Sequence, residues 1–438
     1  MKETRASFAL LFFVVAAHIA YLLPQNISSR EITQSYSATV CPGAVGDSRT
    51  TNLLPSKSTL IRELSQPNAK LRKNGQGSYS ISKNALFIEG TPTNVNQIQS
   101  SSNRWTAALT CADSSKTSWF VGGTANVTSQ SKLILVNSGL GDAIVDVTSF
   151  SENGRGATVP ITIKASSDKV VRVDSFDPGA NRIVLKVETR SGRVVGYLLD
   201  ERVRGLNNLG ADFVAPISKA EESLVIASLP IRYGGNNRAA HKIRIMSAGQ
   251  VDANVSIEVV SPEGVFIPVG FDNLQIEAQQ VNDFDLSEVD LGGKTFALKI
   301  SSSAPIVASV FTTVRSGSVS DFMWSAPSQS FGSVSMNLYG LEPRVTFVAE
   351  RIQVIVNWRN NRGKQFSRNL IGEEVLSWKV PANTRLITFT NQSGAKAAMN
   401  WISRDGVTHL LLASGASLES ASKPIPDIAV IQPTRKTS

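Results

Sequence analysis

Few residue patterns in this chain of 438 residues match a known catalytic or metal-binding motif. The three histidines are His18, His241 and His409, and none has another histidine or a cysteine at the spacing of a zinc site. A catalytic Ser-His-Asp set would need one of the last two, yet no G-x-S-x-G turn accompanies either. Walker A and dinucleotide glycine motifs are also missing. We therefore predict that the protein is not an enzyme, binds no cofactor and has no metal centre.

An acidic stretch is the best remaining candidate for metal binding. It contains Asp283, Asp285, Glu288 and Asp290. In a strand the two aspartates would share one face, as they would on any solvated sheet face, and the ligand spacing of an EF-hand loop is not met. Calcium binding stays open as an alternative to a structural role. A hydrolase of envelope material that uses Asp283 and Asp285 is a further, minor alternative.

The N-terminus carries a segment that either anchors the chain in a membrane or exports it. Lys2 and Arg5 precede an uncharged run that extends to Leu23 and stops at Pro24. Its length is at the lower limit for a helix that crosses a bilayer, and it lacks the small-x-small end of a cleaved signal peptide. We predict that residues 1–24 form a single membrane-spanning helix with a cytoplasmic N-terminus. A removed signal peptide is the alternative, and in both cases the rest of the chain lies outside the cytoplasm.

The two cysteines fit an exported chain. Cys41 and Cys111 form no C-x-x-C redox motif and have no nearby histidines with which to bind a metal. In an oxidising compartment a lone pair of cysteines most often bonds to itself. We predict a disulfide between them.

The net charge of +9 comes from both ends of the chain. Residues 25–116 carry 10 basic and 5 acidic side chains and residues 331–438 carry 13 and 7, whereas residues 210–330 carry 8 and 13. Outside the cell a basic surface meets anionic lipids and wall polymers before it meets nucleic acid. We predict no nucleic-acid partner. An anionic envelope ligand stays open beside the simpler interpretation that these charges keep the protein soluble.

Beyond residue 117 the chain repeats itself, which indicates tandem structural units. Residues 132–139 (KLILVNSG) have a counterpart 110 positions later in residues 242–249 (KIRIMSAG), and residues 185–187 (LKV) match residues 298–300 (LKI). Residues 387–389 (ITF) belong to a more divergent third copy. The predicted segments are the anchor at 1–24, a tether and disulfide-stapled β segment at 25–116, and three units at 117–209, 210–319 and 320–438.

Alternating hydrophobicity predicts that each unit is built of strands. Ile183, Leu185 and Val187 alternate with Arg182, Val184, Lys186 and Glu188, and turn pairs such as Asn153-Gly154 separate the runs. About 100 residues and seven strands per unit fit an immunoglobulin-like sandwich. A propeller, which needs more blades at shorter spacing, is a minor alternative. We predict an all-β fold of tandem immunoglobulin-like β-sandwich units behind the N-terminal transmembrane anchor.

Short motifs give the chain a family resemblance. They are Cys41-Pro42-Gly43, Cys111, Trp119-Phe120-Val121-Gly122-Gly123, Asp212-Phe213 and Asp321-Phe322-Met323-Trp324. Over roughly residues 35–430 the chain resembles a family of actinobacterial secreted or membrane-anchored proteins that is catalogued only as a domain of unknown function. The resemblance implies an N-terminal hydrophobic segment, an early cysteine and tandem β-units, and it implies no activity. The chain departs from the pattern at Val214 and Ala215, where the second unit could have carried the tryptophan.

The aromatic residues that recur at the unit starts are predicted to be structural. Trp119, Phe213, Phe322 and Trp324 would pack between units or anchor a core, and an exposed platform for sugar stacking is the alternative. Our main hypothesis is a non-enzymatic, membrane-anchored protein of the cell envelope that binds an envelope protein or wall polymer. A module that binds anionic polymer or lipid through its basic last unit is the second hypothesis.

Overall fold

The computed structural model describes residues 38–54, 59–74, 77–81, 83–89, 94–101, 104–230, 232–233, 237–287, 289, 295–316, 319–402 and 406–413. In this part of the chain the fold is all-β with several sheets, which confirms the predicted class. No helix among the described residues is long and apolar enough to span a membrane. The predicted anchor at residues 1–24 lies outside the described residues.

The N-terminal part forms two four-stranded sheets. Their strands are β1 Ala38–Cys41, β2 Arg49–Leu53, β3 Leu60–Glu63, β4 Arg72–Lys73, β5 Ser78–Ile81, β6 Leu86–Glu89, β7 Asn96–Ser101 and β8 Trp105–Thr110. The strand orders are β1-β6-β3-β4 and β5-β2-β7-β8. Cys41 and Cys111 are bonded with an S–S distance of 2.02 Å, which confirms the predicted disulfide.

Two more four-stranded sheets follow. Their strands are β9 Thr117–Val121, β10 Lys132–Asn137, β11 Ala143–Ser151, β12 Gly154–Ile163, β13 Ser167–Arg172, β14 Ile183–Ser191, β15 Val194–Arg204 and β16 Asn207–Val214, with a 3₁₀ turn at Val173–Ser175. The orders are β12-β11-β14-β9 and β13-β10-β15-β16. In β14, Ile183, Leu185 and Val187 are buried and Lys186 and Glu188 are partly exposed, as the alternation predicts, but Val184 on the opposite face is also buried.

The third region is one eight-stranded sheet with a small separate hairpin. The strands are β17 Glu221–Pro230, β18 Arg232–Tyr233, β19 Asn237–Arg238, β20 Ala240–Ser247, β21 Ala253–Ser261, β22 Gly264–Phe266, β23 Leu274–Ile276, β24 Asn282–Asp285, β25 Thr295–Ser316 and β26 Val319–Ser325. Strands β18 and β19 pair only with each other. The long β25 pairs with β21 through its first half and with β20 and β26 through its second half, so one strand serves two layers.

The last region is a six-stranded sheet. Its strands are β27 Ser333–Asn337, β28 Arg344–Asn360, β29 Gln365–Lys379, β30 Thr384–Asn391, β31 Lys396–Ile402 and β32 Val407–Leu411. The order is β27-β30-β28-β31-β32, and β29 pairs with β28 in a long hairpin. Strand β32 therefore ends the sheet at one edge.

Buried apolar side chains form four main clusters, one centred in each region, and the first also contains side chains of the second region. In the first, Ile88 and Leu109 come from the two different sheets, and in the second, Val145 and Leu135 do the same. Phe322 and Trp324 of β26 also enter the second cluster, so the third region fills part of its neighbour's core. The predicted boundaries after residues 209 and 319 fall inside β16 and close to the start of β26, and these boundaries stay a prediction.

Candidate functional site

Four sheet-edge strands, one from each region, meet inside the protein. They are β8, β16, β26 and β32; β8, β16 and β32 end the strand orders of their sheets, and β26 pairs with β25 alone. An edge strand has backbone N–H groups without a ladder partner, and burying such groups is costly unless an acceptor replaces water. In this structure, side chains of the neighbouring edge strands provide the acceptors. We call this meeting point the carboxylate junction and define it by Asp212, Asp321 and Thr408.

Asp212 on β16 connects to the other three strands through its two carboxylate oxygens and the hydroxyl group of Thr408. Its carboxylate accepts from the backbone N–H of Trp324 on β26 and from the hydroxyl of Thr408 on β32, both at 2.9 Å. The same Thr408 hydroxyl accepts from the backbone N–H of Ala108 on β8 at 2.9 Å. Asp212 itself is fully buried on β16. One carboxylate and one hydroxyl thus take the place of a strand-to-strand ladder.

Asp321 performs the corresponding task from β26. Its two oxygens accept from the backbone N–H groups of Ala211 on β16 at 3.2 Å and Val407 on β32 at 2.9 Å. A Cβ atom at Gly210 would lie 2.4 Å from one oxygen, and a Cβ atom at Gly406 would lie 2.1 Å from the other. Gly210 also has a φ of +117°, which other residues rarely adopt. Glycine at these two positions lets the strands approach the carboxylate.

Burial raises the pKa of both carboxyl groups well above the usual value of 3.8. For Asp212, the bonds from the Trp324 N–H and the Thr408 hydroxyl oppose this rise, and the neighbouring Asp321 adds to it. For Asp321, bonds from backbone N–H groups, including those of Val407 and Ala211, oppose the rise. Because the pKa of each carboxyl group is higher in the folded state than in the unfolded state, protonation of Asp212 and Asp321 stabilises the fold. This contribution to the free energy of unfolding is complete below about pH 4 and decreases as the pH rises.

A third carboxylate, Asp200, fixes the tryptophan of the motif. Asp200 is fully buried and accepts from the indole N–H of Trp324 at 2.9 Å, from the Ser131 hydroxyl at 2.8 Å and from the Arg202 guanidinium at 2.7 Å. The Arg202 guanidinium also lies 4.4 Å from the ring centre of Phe311. Trp324 is therefore held at its indole nitrogen and at its own backbone.

On its other side the Trp324 ring meets a buried arginine. The Arg244 guanidinium lies 5.1 Å from the ring centre and forms a two-bond ion pair with Asp283 at 2.8 and 2.9 Å. It also donates to the backbone carbonyls of Gly123 at 2.6 Å and Ile183 at 3.2 Å. Arg244 is 3% exposed, so its charge is neutralised inside the protein rather than offered to a ligand.

Replacing Arg244 with alanine should destabilise the protein by about 3 kcal/mol, because Asp283 would lose its counter-ion and two carbonyls would lose a donor. The expected loss is at the lower end for buried ion pairs, since the Asp283 side chain is 23% exposed and can hydrate. Urea unfolding measures it. Arg172→Ala is the matched control: it removes an exposed pair with Asp174 and should cost less than about 1 kcal/mol. Equal losses in the two variants would contradict the assignment.

Most of the motif residues singled out in the sequence meet at this place. Gly122 packs against Trp324, since a Cβ atom there would lie 3.0 Å from two ring atoms, and Gly123 offers its carbonyl to Arg244. Phe322 lies in the same apolar cluster as Trp324, and Phe213 packs in the first cluster. Trp119 lies in a separate buried cluster, where it contacts Phe150 at 5.6 Å. The aromatic residues are thus buried.

Sequence reasoning missed three members of this arrangement. Asp200 directly follows the buried apolar run at residues 194–199, and Arg244 interrupts an apolar strand between Ile243 and Ile245. An isolated charge in an apolar strand is a signal that could have pointed to both. Thr408 carries no such signal.

The acidic candidates for calcium are engaged with cations. Asp283 is paired with Arg244, and Asp285 accepts from the Ser287 N–H at 2.8 Å and lies 3.5 Å from the Lys242 ammonium. Glu288 and Asp290 lie outside the described residues. In the part of the chain that the structure describes, no group of three or more His, Cys, Asp or Glu side chains is arranged to hold a metal ion.

Both described histidines are buried and neutral. His241 contacts the Thr312 hydroxyl at 2.9 Å, and His409 contacts the Ala227 carbonyl at 3.1 Å through Nε2, so that nitrogen carries the proton. Burial lowers the pKa of each histidine from 6.5 to about 4. Neither is paired with a carboxylate or a nucleophile as a general base would be.

Acidification should therefore remove the stability that these two histidines contribute, against the opposite pH trend of Asp212 and Asp321. Because their folded-state pKa is depressed, their contribution is present above pH 6.5 and is lost as the pH falls towards 4, by about 3 kcal/mol for each. His409→Gln, which can still donate to Ala227, should remove one of these two losses. Urea unfolding at several pH values checks this, and identical pH profiles for variant and wild type would refute it.

A cavity of about 360 Å³ lies between β8, β16 and β32, next to the carboxylate junction. Its lining is mainly apolar and includes Val95, Ala108, Phe213, Val214 and Leu411. The Tyr197 hydroxyl in its wall accepts from the Ala112 N–H at 3.0 Å and donates to the Val40 carbonyl. Burial raises the pKa of Tyr197, so this phenol is no acid or base near neutral pH.

Comparisons with known proteins give a family but no activity. Residues 89–365 match the model of a family described as a family of unknown function, DUF5719. No curated protein matches the chain. The solved structure of Thermotoga maritima 1070 is 12% identical, covers 25% of this chain and 93% of its own, and has a TM-score of 0.21. A tetra-tandem repeat from the extending region of a large adhesion protein is 12% identical, covers 85% and 93%, and has a TM-score of 0.11. Both scores are too low to infer a shared overall fold.

Proposed function

Because the chain belongs to the family of unknown function DUF5719, its role must be argued from its own residues, and we propose that it is a non-enzymatic scaffold of the cell envelope. In this proposal residues 1–24 anchor it in the membrane, as in the actinobacterial family that it resembles. Tandem immunoglobulin-like β-sandwich units then stand outside the cytoplasm, and their surfaces bind an envelope protein or a wall polymer.

The carboxylate junction is the observation that carries this proposal. Asp212, Asp321 and Arg244 are buried ionisable side chains, and all three are bonded to other parts of the chain. Catalytic groups must reach a substrate, whereas these groups supply acceptors and counter-charges to strands of four regions. The arrangement favours a protein whose task is to hold its sheets in one fixed relation.

The disulfide supports the proposed compartment. Cys41 and Cys111 are the two cysteines of the chain, and they are bonded to each other. Stable structural disulfides are typical of proteins in oxidising compartments and are rare in the cytosol. A chain that works outside the cytoplasm would keep this bond.

Protease access to a C-terminal epitope on the full chain tests the proposed location. In bacterial spheroplasts, external protease should remove the epitope, the protein should stay in the membrane pellet after alkaline washing, and its cysteines should resist alkylation. A variant that lacks residues 2–24 is the matched control and should be protected and soluble. Protection and reduced cysteines in the full chain would contradict the proposal.

The absence of catalysis needs its own experiment. Purified envelope material incubated with the wild-type protein should release no soluble fragments beyond a buffer control. Release that disappears in an Asp283→Asn/Asp285→Asn variant would assign a hydrolase instead, with the partly exposed Asp283 and the exposed Asp285 as its carboxylates.

A further inference from the structure

The turn end of the β28–β29 hairpin is a basic surface without carboxylates. Residues 351–372 contain five basic side chains and no acidic one, and residues 381–392 add one more basic side chain. Five exposed cations surround the turn and the adjacent β30, and we call them the basic hairpin end: Arg359, Arg362, Lys364, Arg368 and Arg385. The acidic side chains of this sheet lie away from the turn, where Glu374 and Glu342 pair with lysines.

These five cations have no ion-pair partner among the described residues. The charge is therefore unbalanced within the fold and is available to an external anion. The concentration of cations at one end also differs from a solubilising surface, on which the two signs of charge are interspersed.

Ring stacking and turn hydrogen bonds support the conformation of the hairpin end. Trp358 and Phe366 stack with ring centres 5.3 Å apart and planes 13° apart, and the Lys364 ammonium lies 5.2 Å from the Phe366 ring centre. In the turn, the Asn360 side chain accepts from the backbone N–H groups of Arg362 and Lys364, both at 3.0 Å. A preorganised site loses less conformational entropy on binding.

A shallow cleft of about 410 Å³ lies on the same end of the sheet, and its lining combines the apolar side chains of Trp358, Phe366 and Leu386 with polar ones. Side chains that can exchange hydrogen bonds line it, namely Asn357, Arg359, Gln365, Ser367 and Thr388. Amides and hydroxyls suit the hydroxyl groups of a sugar, and a guanidinium can bind a carboxylate or phosphate through two parallel bonds. The cleft thus offers sugar-binding groups beside an anion-binding group.

We infer that the basic hairpin end and this cleft form a binding site for an anionic polysaccharide of the envelope, which carries a carboxylate or phosphate on its sugars. The inference rests on the proposed function, because the protein can reach such a polysaccharide only outside the cytoplasm. A polysaccharide fits better than a membrane, because the turn residues Asn360, Asn361 and Gly363 have no apolar side chain to insert between lipids. Charge complementarity supplies the attraction, and the cleft supplies the contacts to sugar.

Binding of polymers to the full chain, held in neutral phosphatidylcholine nanodiscs, tests the site. Polygalacturonate or phosphorylated dextran should bind, neutral dextran should not, and affinity should decrease steeply as salt rises, because exposed charges are screened. The triple variant Arg359→Gln/Arg362→Gln/Lys364→Gln should weaken binding at low salt by at least about tenfold. The matched control Arg155→Gln/Lys164→Gln/Lys169→Gln removes three exposed cations of the second region and should stay within about twofold of wild type.

Three results would overturn the site. They are no binding of either anionic polymer at low salt, equal losses in the two triple variants, and binding only to phosphatidylglycerol vesicles, which would assign a lipid surface instead. Each leaves the spheroplast experiment unaffected, so this inference and the proposed location can fail separately.

Discussion

Replacing Trp324 with alanine is expected to destabilise the protein by about 4–5 kcal/mol, the upper range for removing a large aromatic side chain from a core. The side chain is 1% exposed and packs against Phe311 with ring centres 4.9 Å apart. Its loss would also leave Asp200 without one of its three donors and remove the ring that faces Arg244. Denaturant unfolding followed by circular dichroism measures the change.

Two further tryptophan variants separate packing from hydrogen bonding. Trp324→Phe keeps most of the apolar contact but loses the bond to Asp200, so a loss of about 1–2 kcal/mol is expected. Trp401→Ala is the matched control, because Trp401 is partly exposed at the end of β31 and its removal should cost less than either change at Trp324. Equal losses of unfolding free energy for Trp324→Ala and Trp401→Ala would show that Trp324 contributes no more to stability than a partly exposed tryptophan.

Breaking the disulfide is expected to cost about 4 kcal/mol on the chain-entropy model, because the bond closes a loop of about 70 residues in the unfolded chain. The double variant Cys41→Ser/Cys111→Ser tests this by the midpoint of urea unfolding. Reduction of the wild-type protein should reproduce the same shift, and it is the control for any effect of the serines. An unchanged midpoint in both samples would contradict this stabilising role.

The all-β class and the disulfide could be predicted because they depend on local or compositional signals. Alternation in runs such as residues 183–187 places one face of a strand in the core whatever its partner is. Two cysteines leave one possible pairing within the chain, so Cys41–Cys111 needed no knowledge of the fold.

The carboxylate junction could not be derived in the same way. The motif Asp212-Phe213 and its counterpart Asp321-Phe322 were visible as a recurrence, but their acceptor role depends on strands far away in the sequence. The bond from Thr408 to Asp212 joins positions 196 residues apart, and the bond from Trp324 to Asp212 joins positions 112 apart. Such contacts depend on how the four sheets pack against each other, and the local pattern of hydrophobic residues in the sequence does not predict this packing.

The basic character of the last region was also visible in advance, whereas its position was not. The excess of cations at residues 331–438 gives no location by itself. The hairpin register, which places Arg359 opposite Gln365, brings the charge to one end and next to the cleft. A count of charges along the chain therefore predicts the sign of a partner better than its binding site.

Hydrogen exchange at four backbone amides tests the central claim, that buried side chains lock the edge strands of four regions at one junction. These amides belong to Ala108, Ala211, Trp324 and Val407. We predict that in the wild-type protein all four exchange only through global unfolding, with one common free energy, and that Trp324→Ala lowers protection at all four together. Exchange at any of the four at the rate of an open sheet edge, or loss of protection confined to β26 in the variant, would contradict the account.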